Sequence, residues 1–249
     1  MVTIITPSLF PDFDMGTPIS AVRKESKERW KLYKNKNFGL EYCKGTTQFC
    51  GKYGIPQLKK FTGIVPKKFI TLDELSDCGS PNTGILGFSY DSKLDEVANN
   101  LEKYVPKLLH YSCVGEFDFS MKIGAPYATV VASAFRSHCI AYHLQECGCP
   151  IIPTMKWADS TSFEVCFKGY EKGGAVLIST MGILGDERSH MYFINGFNEM
   201  LKQVSPDAII IYGEVKDWIE KLIPSQLTAY FFSNEHINRM RNYGRKRCV

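Results

Sequence analysis

The sequence predicts an α/β protein in which parallel-stranded βα repeats form a barrel-like, incomplete TIM-like body behind an irregular N-terminal extension. Three observations carry this prediction. From residue 68 onward, short β-branched or aromatic runs alternate with longer segments of helical period, the pattern of repeated βα units. Runs such as Ala208-Ile-Ile-Ile-Tyr212 are apolar on both faces, as strands between a helix layer and a packed interior must be. The length of 249 residues is one at which βα barrels occur as a single domain.

The elements follow in order. Candidate strands fall at residues 68–72, 85–90, 113–119, 151–157, 175–181, 208–212 and 227–232. Helical spacing places Leu94, Val97, Leu101 and Val105 on one face of a segment at 94–104. Segments at 127–146, 161–167, 189–204 and 215–222 supply the remaining crossovers. Residues 1–67 contain Pro7, Pro11, Pro18, Pro56 and Pro66, which interrupt any long element, so they are expected to pack as an extension on the body formed by 68–238. Residues 239–249 are a basic tail.

Composition removes several classes. With 44% hydrophobic and 22% charged residues, 20 glycines and 12 prolines, the chain is neither disordered, collagenous nor a coiled-coil rod. Its longest apolar runs, residues 175–179 and 208–212, are strand-sized and far short of a bilayer span, so no membrane partner is expected. Val2 to Thr6 is apolar but lacks a basic flank and stops at Pro7, unlike a secretion signal. A cytoplasmic protein is expected, and its nine irregularly spaced cysteines read as reduced, largely buried thiols.

The net charge of +4 is unevenly spread. Residues 23–36 and the tail carry +5 each, and the rest of the chain carries −6. Trp30 and Tyr33 are interleaved with Lys31 and Lys34, a mixture that attracts phosphates and stacks bases. The other reading is a solvated helix face docked by those two aromatics. Lys31, Lys34, Arg245, Lys246 and Arg247 are the candidate nucleic-acid contacts.

In parallel α/β proteins the ligand lies at the carboxyl ends of the strands, where loops converge. Asp91 follows the second candidate strand; Glu116, Asp118 and Ser120 follow or end the third; Lys156, Trp157 and Asp159 the fourth. The next two strands deliver Ser179, Thr180 and Gly182, then Tyr212, Gly213 and Glu214. Carboxylates such as Asp91, Asp118 and Glu214 around one mouth can work as acid and base or hold a divalent cation such as magnesium. Asp91 and Asp159 also suit helix capping. Asp118, between Phe117 and Phe119, is costly to bury without a partner, and Arg136 on the following apolar helix is its expected partner. Lys156 is a candidate catalytic residue, as a phosphate contact or, if desolvated, a base or Schiff-base nucleophile, and otherwise a lysine that snorkels or pairs with Asp159. Trp157 is a stacking surface or a core residue. The small-residue run Ile178-Ser-Thr-Met-Gly-Ile-Leu-Gly185 can bring backbone N–H groups to a phosphate but lacks the P-loop lysine.

His138, His143, Cys139, Cys147 and Cys149 do not have zinc-finger spacing, so no metal ligands are assigned. Hydrolase elbows and His-Glu-x-x-His are absent.

The order of Phe117-Asp-Phe-Ser120, the Arg136 helix, Gly148-Cys-Pro-Ile-Ile-Pro-Thr-Met-Lys-Trp157, Ser162-Phe163, Phe167-Lys-Gly169, Ile178-Ser-Thr-Met-Gly182 and Ile211-Tyr-Gly213 resembles domain-of-unknown-function family 4417. That family is found largely in phages, prophages and other mobile elements; it usually has proline where this chain has Phe117. The resemblance implies a phage or mobile-element context and a host-cell cytoplasm, and it supplies no activity. Two functions remain in view. In the first, a strand-end pocket binds a phosphorylated ligand, a nucleotide or nucleic-acid end, and hydrolyses it: Asp118 is the acid/base or metal-binding group, Arg136 orients it, Lys156 contacts phosphate, and Ser179 with Thr180 forms a cradle. In the second, a non-enzymatic phage protein engages a host protein or nucleic acid through its basic ends.

Overall fold

The βα alternation is present in the structure, a computed structural model that describes residues 39–183, 185 and 187–233. A short antiparallel pair, β1 (Phe49–Cys50) and β2 (Ile55–Pro56), comes first. Strands β3 (Lys68–Ile70), β4 (Ser80–Ile85), β5 (Tyr111–Gly115) and β6 (Ile151–Ile152) form a parallel sheet in that order. Strands β7 (Ala175–Ser179), β8 (Ala208–Tyr212) and β9 (Thr228–Phe232) form a second parallel sheet. The two sheets are linked beyond β6, where Leu177 N donates to Pro153 O and Met155 N to Leu177 O, both at 2.8 Å. Backbone hydrogen bonds therefore follow all seven parallel strands in chain order.

The helices are α1 (Asp91–Ala98), α2 (Leu101–Leu108), α3 (Tyr127–Glu146), α4 (Phe163–Cys166), α5 (Glu187–Val204) and α6 (Asp217–Glu220). The segment expected as one helix at 94–104 is two, because Asn100 turns its side-chain amide onto Glu96 O at 2.8 Å and competes with the helix ladder. The second strand lies earlier than its apolar run indicated, at Ser80–Ile85 rather than 85–90. A register shift between Ser80 and Gly84 accommodates Pro81. A Cβ at Gly84 would stand 2.5 Å from the Phe69 ring, so glycine lets β3 and β4 approach.

Three buried clusters organise the body. Leu94, Val97, Leu101, Ile140 and Leu144 cover Ile85, Val114 and Ile151 on one outer face. Phe193, Phe197 and Met200 of α5 cover Val176, Ile178, Ile209 and Ile211 on the other. The third cluster takes Phe69 from β3, Leu86 from the end of β4, Cys113 from β5, Ile152 from β6, Leu177 from β7, Ile210 from β8 and Phe232 from β9. Strand alternation sorts these faces: Ile209 and Ile211 pack under helices, whereas Ile210 and Tyr212 face the third cluster. The Phe69 and Phe232 rings meet edge to face with centroids 4.9 Å apart, although strands spaced at about 4.8 Å would hold the two ends of a flat seven-stranded sheet far apart. The expected barrel is not closed, since no backbone pairing joins β3 to β9 among the described residues.

Residues ahead of β3 lie along this body: Leu58 N donates to Gly169 O at 2.7 Å and Ala175 N to Phe61 O at 2.8 Å. Among the described residues, no helix is long and apolar enough to cross a membrane, and the eight described cysteines are free thiols. One packing contact is unusually tight. A Cβ on Gly196 of α5 would stand 2.1 Å from Trp157 Nε1, so Gly196→Ala overpacks the core and is expected to cost roughly 1–3 kcal/mol by urea unfolding. An unchanged midpoint would mean that the indole is free to move aside.

Candidate functional site

After β5 the chain runs Glu116-Phe117-Asp118-Phe119-Ser120, and Asp118 N donates to Gly87 O at 3.0 Å, fastening it to the loop after β4. Lys156 comes from the loop after β6. Its ammonium donates to Phe119 O at 3.1 Å, to Phe117 O at 3.4 Å and to Ser137 Oγ on α3, and Asp118 Oδ1 stands 3.7 Å away. Lysine has three N–H donors, and these contacts occupy them. The Lys156 side chain is 10% exposed and that of Asp118 is 30% exposed, so the carboxyl is the open member of the pair. Burial pushes the Asp118 carboxyl above the usual carboxylate range; Lys156 opposes the shift, and Glu116 and Asp91 add to it. Asp91, the first residue of α1, accepts from both Ser120 N and Ser120 Oγ at 3.0 Å and so ties the loops after β4 and β5 together.

Beneath this rim lies a polar cluster that the sequence did not assign. Glu116 is completely buried. Its Oε2 accepts from Tyr170 OH at 2.8 Å and from Thr154 N at 3.2 Å. Its Oε1 has no hydrogen-bond partner and faces His138 Nε2 at 3.7 Å. His138 Nδ1 lies 2.9 Å from Pro56 O; a carbonyl only accepts, so Nδ1 carries the proton and Nε2 is left as an acceptor. Burial pushes Glu116 up to about 7 and His138 down to about 3, which keeps His138 neutral and lets Glu116 hold its proton until the pH nears neutrality. Strand parity held the available signal: Glu116 shares its direction with Val114, which packs under the helices.

The remaining candidates divide. Arg136 does not pair with Asp118: its guanidinium bonds Asp95 of α1 and lies over the Phe119 ring, 4.2 Å from the centroid. The lysine one strand further on reaches the carboxyl instead. Ser179, Thr180, Gly182, Tyr212, Gly213 and Glu214 gather at the ends of β7 and β8. Ser179 Oγ accepts from Met181 N at 3.1 Å, and Thr180 Oγ1, wholly buried, donates to Glu214 O at 2.7 Å. The Thr180 hydroxyl proton is therefore committed to loop structure, while Ser179 uses one acceptor site. Gly213 has φ 124°, and a Cβ there would stand 2.3 Å from Thr180 Oγ1. Glu214 pairs with Lys216 at 2.5 Å, and Tyr212 stacks on Phe88 of the β4 loop at 6.0 Å. Trp157 gives its N–H to Tyr192 O at 3.1 Å and packs on Phe167 and Phe193, so its ring belongs to the core. Asp159 caps the turn that follows it by accepting from Thr161 N at 3.0 Å.

Lys31, Lys34, Arg245, Lys246 and Arg247 lie outside the described residues. Among the described residues no three histidine, cysteine, aspartate or glutamate side chains converge as a metal site. A hollow of 210 Å³ lies away from the rim, between Tyr53, Ile55, Glu164 and Lys168.

Fold and rim together define an α/β protein of successive parallel βα units with a carboxylate and lysine pair at the strand ends. The chain belongs to the family described as Domain of unknown function (DUF4417), whose model matches residues 47–230. It is 27% identical to the Gene 1 protein of Mycobacterium phage L5 over 77% of this chain and 84% of that protein. It is 28% identical to the Gene 1 protein of Mycobacterium phage D29 over 66% of this chain, which spans 62% of that relative. Both of these relatives are phage proteins. No solved structure matches it.

Proposed function

We propose that the rim at the ends of β4 to β8 binds a phosphorylated ligand, a nucleotide or nucleic-acid end, and that Asp118 exchanges a proton with it during hydrolysis. The observation that supports this most is the state of Asp118: a carboxyl that is raised by burial, partly open to solvent, and fixed beside a lysine whose own donors are all engaged. Such a group holds its proton closer to neutral pH, where general acid and base work is most effective. Lys156 then positions Asp118 and lends it charge rather than gripping the phosphate. The exposed turn at Met181 and Gly182, with Gly182 at φ 82°, lets backbone come close to a ligand. In this reading residues 68–238 form an incomplete barrel, residues 1–67 are its extension, 239–249 a basic tail, and the protein acts in the host cytoplasm.

The test compares wild type with Asp118→Asn in calorimetric titrations and turnover assays against nucleoside triphosphates and 5′-phosphorylated oligonucleotides, with and without magnesium. Wild type is expected to bind and turn over at least one of these, and the variant to stay folded while losing about 10²-fold or more of the rate. Silence of the wild type towards every phosphorylated compound, or equal turnover by the two proteins, overturns the reading.

A further inference from the structure

We propose that Cys43 and Cys139 form an oxidation site, a dithiol that closes into a reversible disulfide when a hydroperoxide reaches it. Their sulfur atoms lie 3.5 Å apart across 96 residues of sequence, and closing the bond to roughly 2.05 Å requires an approach of about 1.5 Å. The two thiols are presented to each other by built structure. The short turn Leu40–Tyr42 lies against α3 because Gly39, at φ 94°, lets the backbone in: a Cβ there would stand 2.9 Å from Cys139 Cβ. Tyr42 anchors the same turn, donating its hydroxyl to Ala98 O and packing on His143 with ring centroids 4.8 Å apart.

The two cysteines are unequal, as a redox pair needs to be. Cys43 is half-buried and followed by the exposed Lys44, Gly45 and Thr46, whereas Cys139 is wholly buried. The hydrogen bond with Cys139 holds the Cys43 thiol below its usual range, and burial pushes Cys139 up. Cys43 is thus the attacking thiolate and Cys139 the resolving thiol. In the first step Cys43 Sγ bonds the terminal oxygen of the hydroperoxide, the O–O bond breaks, and the alcohol leaves with a proton, giving a sulfenic acid. In the second, Cys139 Sγ attacks Cys43 Sγ, the S–O bond breaks, and water leaves with the Cys139 proton. Two thiol protons and two electrons pass to the hydroperoxide, which is reduced to alcohol and water. A thiol reductant reverses the change. The bridge would tie the segment before β1 to the middle of α3, the helix whose His138 and Ser137 sit over the buried Glu116 cluster and Lys156.

The experiment treats the reduced full-length chain with hydrogen peroxide at increasing ratio, blocks remaining thiols, and maps peptides without reduction. The expected result is a Cys43–Cys139 cross-link formed before any other, reversed by dithiothreitol, together with a melting temperature raised by about 5–10 °C. Cys43→Ser should remain folded and leave Cys139 unmodified, while Cys78→Ser, at an exposed position, should not alter the cross-link. A first cross-link between other cysteines, over-oxidised Cys43 with Cys139 still free, or an unreactive Cys43 in the folded protein overturns the proposal.

Discussion

Replacing Lys156 by methionine is expected to cost the protein about 3–5 kcal/mol, because three acceptors lose a charged donor and the partly open Asp118 carboxyl loses its cation. The stem is kept and only the charge is lost, so packing changes little. What remains is a carboxyl at Asp118, the carbonyl oxygens of Phe117 and Phe119, and the Ser137 hydroxyl, all facing a group that no longer donates. The loop after β5 would lose its lysine-mediated tie to α3 and keep the bond that Ser133 Oγ donates to Ser120 O at 3.0 Å. Lys156→Met combined with Asp118→Asn should recover part of the loss, with a coupling of roughly 0.5–3 kcal/mol in a urea double-mutant cycle. A loss below about 1 kcal/mol for the single variant, well short of that expected when buried acceptors lose a charged donor, would show that this loop is held by its other contacts.

The second large effect is a pH profile set by the Glu116 and His138 pair. His138 is lowered from 6.5 to about 3 by burial, so between those values the unfolded chain binds a proton that the folded chain does not, and stability rises with pH. Glu116 is raised from 4.5 to about 7 by burial, so between those values the folded chain holds the extra proton, and stability falls as pH rises. The two arms cancel between about pH 4.5 and 6.5, leaving a gain at the acid side and a loss near neutrality. Glu116→Gln is isosteric with the neutral acid: its oxygen can still accept from Tyr170 and Thr154, and its amide can donate to His138 Nε2. The variant should match wild type near pH 4.5 and be more stable at pH 8 by on the order of 2–3 kcal/mol, since each tenfold difference in proton affinity between the folded and unfolded chain is worth about 1.4 kcal/mol. Urea midpoints across that range decide it. A uniform loss at every pH would mean that Glu116 is ionised in the native protein.

Much of the fold was legible because parallel strands buried on both faces leave an unbroken apolar run. β3, β6, β7, β8 and β9 lie within their expected runs, β5 at Tyr111–Gly115 starts and stops ahead of its expected 113–119, and α3 has its expected limits, Tyr127–Glu146. β4 was misplaced because Ser80-Pro-Asn-Thr-Gly reads as a turn; only its neighbours β3 and β5 make it a strand. At the rim, Asp118 stood out as a lone carboxylate between two phenylalanines, but its partner was not legible. Arg136 and Lys156 both follow it in sequence, and which one reaches it depends on α3 placing Arg136 over Phe119 towards Asp95. Glu116 is legible as a strand-end carboxylate, but its burial is not, because such a residue looks solvent-facing until the helix above it is known to bring a histidine.

The most direct measurement is a carbon-13 titration of the Asp118 side-chain carboxyl, alone and with a saturating nucleotide or 5′-phosphorylated oligonucleotide. A midpoint above the usual carboxylate range in the free protein, moving when the phosphorylated compound is added, is the predicted result. An ordinary midpoint that no phosphorylated compound moves would contradict it.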